Sequence, residues 1–201
     1  MAVFGVLALQ GDFAAHAAAL REVGAAVREV RRAGDLAGLA GLALPGGESS
    51  TLLNLMQDEP WFPALERLHD EGGAFLGTCA GAILLAREVQ PAQPSLGFLD
   101  ATVVRNAYGR QVDSFQARIE GPGLGEPLEA IFIRAPRFRG LGPTVEVLAR
   151  LAEEPVLVRQ GRVLAATFHP ELTRSRGLHR LFVEMATTRA SRAPEPTALL
   201  R

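Results

Sequence analysis

Two textures of hydrophobic patterning follow one another along the chain. In the first half, apolar runs alternate with helical spacing. Val3–Leu9 is continuously apolar, as suits a strand buried on both faces of a parallel sheet. Asp12 then caps a predicted helix over Ala14–Val23, with Gly24 as its stop. Ala26–Val30 and Gly41–Leu44 read as short strands, the second ending at Pro45-Gly46-Gly47. Ser49–Met56 and Pro63–Asp70 read as helices, the latter with proline in its first turn. Ala74–Thr78 is a predicted strand, and a helix over Ala80–Val89 follows it without a loop. Past residue 95 the pattern becomes strand-rich: Asp100–Arg105, Val112–Ile119, Ala130–Ala135 and Val145–Leu151 are separated by Gly/Pro turns. Pro155–Arg159 and Arg162–Thr167 flank Gln160-Gly161 as a hairpin, and Leu178–Thr188 is an amphipathic closing helix. This order predicts an α/β three-layer sandwich with a mostly parallel, mixed central sheet. Residues 1–190 are expected to form one domain, and 191–201, with Pro194 and Pro196, a flexible tail.

Composition narrows the function. Of 201 residues, 48% are hydrophobic and 21% charged, enough apolar material for a substantial core. The net charge of −1 supplies no basic field for nucleic acid or a membrane surface. The longest uncharged apolar run, Ala74–Ala86, is 13 residues, too short to span a bilayer. The first residues carry no basic stretch of signal-peptide type, so the expected location is cytoplasmic. All 21 basic residues are arginine, which removes every chemistry that needs an ε-amine: Schiff-base catalysis, the P-loop and pyridoxal-phosphate enzymes. One cysteine, Cys79, excludes an internal disulfide and a thiolate zinc site. It is either a small buried hydrophobe or a nucleophile.

The surroundings of Cys79 favour the nucleophile. Gly77-Thr78-Cys79-Ala80-Gly81 is a G-x-C-x-G elbow between a predicted strand and a predicted helix. An abrupt strand-to-helix turn strains the backbone, and the flanking glycines remove side chains that would clash. The thiol then projects at a helix start, where free N–H groups favour a thiolate and the Ala80 N–H faces a developing oxyanion. Of four histidines, His16, His69 and His179 read as solvated helix residues. His169 instead follows the apolar strand and opens His169-Pro170-Glu171. In an extended segment residues i and i+2 share a side, so Glu171 can orient the imidazole while His169 faces the thiol. The bland alternative is a strand-end turn with a charged surface pair. Gly46-Gly47, after a strand end, lets a backbone N–H approach a ligand closely, although such a turn is common without that role.

Taken together, G-T-C-A-G, L-P-G-G-E-S-S and F-H-P-E resemble the class I (triad) glutamine amidotransferases. Val6–Gly11, Arg105–Gln111 and Phe132–Pro136 narrow the resemblance to the glutaminase subunits of pyridoxal 5′-phosphate synthase, the PdxT/SNO family. Six motifs in order, over residues 3 to 187, carry it. The resemblance implies hydrolysis of L-glutamine to L-glutamate and ammonia without a cofactor. The ammonia would pass to a synthase subunit of PdxS/SNZ type within a large hetero-oligomer. It also implies Cys79, His169 and Glu171 as the catalytic triad, and backbone N–H groups of Gly47 and Ala80 as the oxyanion hole. Gly47, Glu48, Ser49, Arg105, Ile133 and Arg134 match glutamine-binding positions. Arg105 also suits an amino-acid carboxylate on charge alone, though an arginine at a strand end is commonly just solvated. Gln10 is expected near the site and a partner interface. Ala15 departs from the family, where an acidic residue often precedes the position of His16, and this loosens expectations for the first helix as a docking element. Two alternatives stay open here: another cysteine hydrolase on a related scaffold, such as a γ-glutamyl hydrolase, and a catalytically silent binding subunit. A metal centre is not expected, because His169-x-Glu171 lacks further convergent ligands.

Overall fold

The computed structural model describes residues 2–105, 114–122, 124 and 126–188. Its elements run β1 (Val3–Leu7), α1 (Phe13–Glu22), β2 (Ala26–Val30), β3 (Gly41–Leu44), α2 (Ser49–Leu55), α3 (Trp61–Asp70), β4 (Ala74–Thr78) and α4 (Ala80–Leu85). Then follow β5 (Ala86–Gln90), β6 (Leu99–Val104), β7 (Phe115–Ile119), β8 (Leu128–Phe132), β9 (Arg137–Arg139), β10 (Glu146–Leu151), β11 (Glu154–Gln160), β12 (Val163–Ala166) and α5 (Gly177–Thr187).

Seven strands form the central sheet in the order β10-β11-β12-β4-β3-β1-β2. The stretch from β12 to β2 is parallel, and β10 and β11 extend it as antiparallel strands. Side-chain alternation divides the core in two. Leu7, Leu42, Leu44 and Phe75 point to one face and pack with Leu52 of α2, Leu65 of α3 and Leu84 of α4. Phe4, Val6, Ala43 and Leu76 point to the other and pack with Leu20 of α1 and Phe182 of α5. A sheet buried on both faces explains why its strands read as continuous apolar runs. The three-layer mixed α/β expectation is therefore met.

Several boundaries differ from the sequence reading. The helix expected over Ala80–Val89 stops at Leu85, and Ala86–Gln90 turns into a strand paired parallel with β6. There Ala86 and Val89 are buried while Arg87 and Glu88 are exposed, and Arg87 pairs with Asp100. Pairing with β6 thus overrides a local pattern compatible with helix. The strand expected through Ala135 ends at Phe132, because Arg134 takes a positive φ of 45°. Strand β9 and the short 3-10 turns at Ala33–Leu36 and Pro170–Leu172 were not anticipated. The expected tail, the Asn106–Gln111 motif and the start of the Val112–Ile119 strand lie outside the described residues. Asp12 precedes α1, but its side chain makes no capping hydrogen bond.

Close backbone approach fixes where α4 sits. A Cβ on Gly81 would overlap the Leu44 carbonyl, so α4 lies directly on the end of β3. Gly81→Ala is expected to lower unfolding stability by about 1–3 kcal/mol or more, read from urea denaturation, because the obstacle is backbone and cannot rotate away.

Candidate active site

The β4–α4 junction builds the elbow. Cys79 has φ 49° and ψ −103°, a strained combination for a residue with a side chain. It is held from both sides: its N–H donates to the Ala166 carbonyl of β12 at 2.9 Å, and its carbonyl accepts from Ile83 N at 3.2 Å. A Cβ on Gly77 would collide with the backbone of Gly81, so the two glycines let strand and helix meet at this angle. Cys79 is 6% exposed, and its Sγ lies 4.0 Å from the Ile133 carbonyl oxygen.

Strand β12 carries the imidazole. Ala166 pairs with Thr78 in register, and the chain runs on through Thr167 and Phe168 to His169, whose N–H donates to the Ile131 carbonyl at 2.8 Å. His169 lines the same cavity as Cys79, and its Nδ1 lies 2.8 Å from Glu171 Oε1. The expected reach from His169 to Glu171 is present, but a 3-10 turn over Pro170–Leu172 brings it about rather than an extended segment. His169 and Glu171 are both buried.

The glycine loop closes the third side. Gly47 has a φ of 132°, open to glycine but not to ordinary side chains. The side-chain amide of Gln10, at the end of the first strand region, spans this loop. Its Nε2 donates to the Gly46 carbonyl at 3.4 Å, and its Oε1 accepts from Glu48 N at 3.2 Å. Gly46 packs against the His169 ring, where a Cβ would overlap the imidazole.

These elements surround a cavity of about 290 Å³, lined among others by Cys79, His169, Gly47, Glu48, Ser49, Arg105, Ile133 and Arg134. All six residues matched to glutamine binding therefore converge with the cysteine and the histidine. Arg105 Nη2 is 3.1 Å from Glu48 Oε1, and Arg134 Nη1 is 4.0 Å from Glu48 Oε2. Ser49 Oγ donates to Gln93 Oε1 at 3.0 Å. Asp12 and Ile83 join the lining without having been singled out by their sequence context. A larger cleft of about 580 Å³, between Gln116–Arg118 and Arg174–Ser175, holds neither cysteine nor histidine. Asp12, His169 and Glu171 bring ligand-type atoms within 4.8 Å of one another, a convergence the sequence reading did not foresee. Within it, however, His169 Nδ1 and Glu171 Oε1 are already joined to each other.

Two histidines are misplaced by the sequence reading. His16 and His179 are fully buried rather than solvated. His16 shares the inward side of α1 with Ala17, Ala19 and Leu20, and His179 that of α5 with Leu178, Phe182 and Met185. Their positions on these apolar stripes were the available signal. His69 is partly exposed and stacks on Phe98 with ring centroids 4.2 Å apart.

Electrostatics follows from this burial. Desolvation pushes His169 down, but its hydrogen bonds to Cys79 and Glu171, with their charges, raise it to about 10. Burial pushes Glu171 up, yet His16 and His169 hold its carboxyl well below the ordinary carboxylate range. His179 is lowered from 6.5 to about 3, first by desolvation and then by the charge of His16. The unfolded chain therefore takes up a proton at His179 that the folded chain refuses. Its contribution to stability is complete above 6.5 and shrinks as pH falls toward about 3. Urea midpoints measured across that window should fall less steeply for His179→Gln than for the parent.

Comparison with known proteins agrees with the geometry. A family model described as the SNO glutamine amidotransferase family matches residues 6–188. A Deinococcus radiodurans protein named pyridoxal 5′-phosphate synthase subunit PdxT is 54% identical, over 92% of this chain and 98% of its own. A protein of the same name from Thermus thermophilus is 57% identical, over 92% and 97%. A crystal structure titled glutamine amidotransferase superposes with a TM-score of 0.86 at 53% identity, over 92% of this chain and 99% of that one. A putative GMP synthase protein from Thermoplasma acidophilum, 20% identical, shares the fold at a TM-score of 0.69 over 92% and 94%. With the match covering nearly all described residues, the chain belongs to the SNO glutamine amidotransferase family.

Proposed function

We propose that this chain is the glutaminase subunit of pyridoxal 5′-phosphate synthase, hydrolysing L-glutamine to L-glutamate and ammonia. The observation that carries this reading is a strained cysteine sharing one cavity with an imidazole whose Nδ1 is braced by a buried carboxylate. Cys79 sulfur attacks the side-chain amide carbon of glutamine, and the carbonyl π pair moves onto oxygen. Backbone N–H groups of Gly47 and Ala80 stabilise that oxyanion. His169 gives its proton to the amide nitrogen, the C–N bond breaks, and ammonia leaves behind a γ-glutamyl thioester. Water then attacks the thioester carbon while His169 accepts its proton, and the C–S bond breaks to release glutamate and regenerate the thiolate. Glu171 keeps the Nδ1 proton in place so that Nε2 faces the sulfur.

Substrate recognition uses charge. Arg105 and Arg134 supply positive groups for the α-carboxylate of glutamine, and Glu48, already between them, supplies a counter-charge for its α-ammonium. Ser49 and the backbone around Ile133 complete the glutamine site. Gln10 steadies the glycine loop, whose backbone can rearrange at low cost when a partner docks. The partner is a synthase subunit of PdxS/SNZ type in a large hetero-oligomer, and the complex works in the cytoplasm. Direct transfer protects ammonia from protonation to ammonium, which is not nucleophilic. No helix among the described residues is long and apolar enough to cross a membrane.

The test uses the full chain together with the synthase subunit. Glutamate release from glutamine should fall by about a thousandfold or more in Cys79→Ala. Pyridoxal 5′-phosphate formation in the same mixture should return when an ammonium salt replaces glutamine. Unchanged glutamate release in Cys79→Ala, or a preference for folate polyglutamates over glutamine, overturns the reading.

A further inference from the structure

The reaction as derived uses one oxygen of Glu171, and the structure builds a second contact behind the other. His16, on α1 and fully buried, places Nε2 at 3.2 Å from Glu171 Oε2. The same Nε2 lies 3.0 Å from Thr78 Oγ1, and Thr78 is the residue immediately before the nucleophile. On the far side of the ring, His16 Nδ1 is 3.1 Å from Nε2 of the equally buried His179. Three imidazoles, one carboxylate and one hydroxyl thus form a buried chain from α5 through α1 to His169. The mechanism accounts for only its outer half.

Hydrogen-bond logic fixes the direction of this chain. An ionised carboxylate can only accept, so the His16 nitrogen facing Glu171 carries a proton. Glu171 Oε2 has no well-aligned donor, and the His16 N–H sits between it and the Thr78 oxygen. On the other side, the His16 Nδ1–His179 Nε2 contact is a hydrogen bond between two buried rings. His179 Nδ1 has no hydrogen-bond partner among the described residues. Besides His16 and Glu171, the charged group acting on His179 is Arg176, just ahead of its own helix. Burial raises the Glu171 carboxyl, and His16 is the foremost of the groups that pull it back down.

We propose that His16 is a positioning residue of the glutaminase reaction, clamping Glu171 Oε2 and registering it to Thr78, so that Oε1 stays aimed at His169 Nδ1. A carboxylate held by one oxygen can swing about its side-chain torsions; held at both, it keeps the imidazole turned toward the sulfur. His16 touches neither glutamine nor the reacting atoms and acts only through Glu171. This inference rests on the proposed glutaminase activity, and its test separates the two.

The full chain is assayed with the synthase subunit for glutamate release, and alone, without glutamine, for alkylation of Cys79 by iodoacetamide. His16→Gln can keep an amide N–H near the place of Nε2, whereas His16→Asn is too short to reach Glu171. The expected result is a kcat lowered about 10- to 100-fold in His16→Asn with KM little changed, a matching fall in alkylation rate, and substantial recovery of both in His16→Gln. In a Glu171→Ala background the same His16→Asn change should produce no further loss, because its route is already cut. Should His16→Asn not fold, Thr78→Val removes the registering hydroxyl and is expected to lower kcat and the alkylation rate without altering KM. Parental kcat and alkylation in the folded variants, or an equal loss in the Glu171→Ala background, overturns the positioning role. If the parent releases no glutamate while alkylation still follows His16, the glutaminase reading falls and the positioning role stands.

Discussion

Parallel pairing of β4 with β12 is the constraint from which the site follows. Ala166 stands opposite Thr78, and the Cys79 N–H continues the ladder onto the Ala166 carbonyl. The carboxyl ends of these two strands lie side by side in the middle of the central sheet. One chain turns at once into α4 and presents a thiol; the other runs on to His169 and presents an imidazole. Because both belong to a sheet buried on its two faces, neither end can drift without breaking ladder bonds and core contacts together. Ligand sites outside the carboxyl ends of parallel strands are the general rule for open α/β sheets, and here the adjacent ends carry a thiol and an imidazole into one cavity.

Around that pair the protein places stiffness and freedom on opposite sides. Behind the imidazole everything is buried and polar groups are packed against one another: Glu171, His16, Thr78 and His179. Charged and polar groups kept from water hold their geometry because any departure leaves one of them unpaired. In front lies Gly46-Gly47, where the backbone takes a φ closed to other residues and the main tether is the amide of Gln10. The groups around His169 are thus held in place, while the Gly46-Gly47 loop is cheap to reshape.

Helix α4 shows how closely the elbow ties to the rest of the fold. It is only six residues long, and Gly81 seats it on the β3 carbonyl. Stopping at Leu85 lets Ala86–Gln90 leave the sandwich and pair with β6 in a separate small sheet that also includes β9. Arg105, immediately after β6, donates its N–H to the Gln90 carbonyl at 2.8 Å and directs its guanidinium into the cavity. The early end of one helix therefore helps to place a positive charge in the cavity beside Cys79 and His169.

Much of this was legible in the residues alone. Continuous apolar strands announced a doubly covered parallel sheet, and the glycines around Cys79 announced a strand-to-helix elbow, because these depend on local sterics and on side-chain periodicity. His169, Glu171, Gln10 and the Pro45-Gly46-Gly47 loop stood out through short motifs whose backbone demands are local. The truncation of α4, the left-handed Arg134 and the burial of His16 and His179 were not legible in the same way. Each depends on which distant segment packs alongside: β6 beside β5, and α1 and α5 together over β4. A histidine on an apolar stripe reads identically whether it meets apolar side chains or a carboxylate, and only the meeting of three elements decides which. The chain by itself determined the chemistry it could perform; tertiary packing decided which imidazoles would serve it.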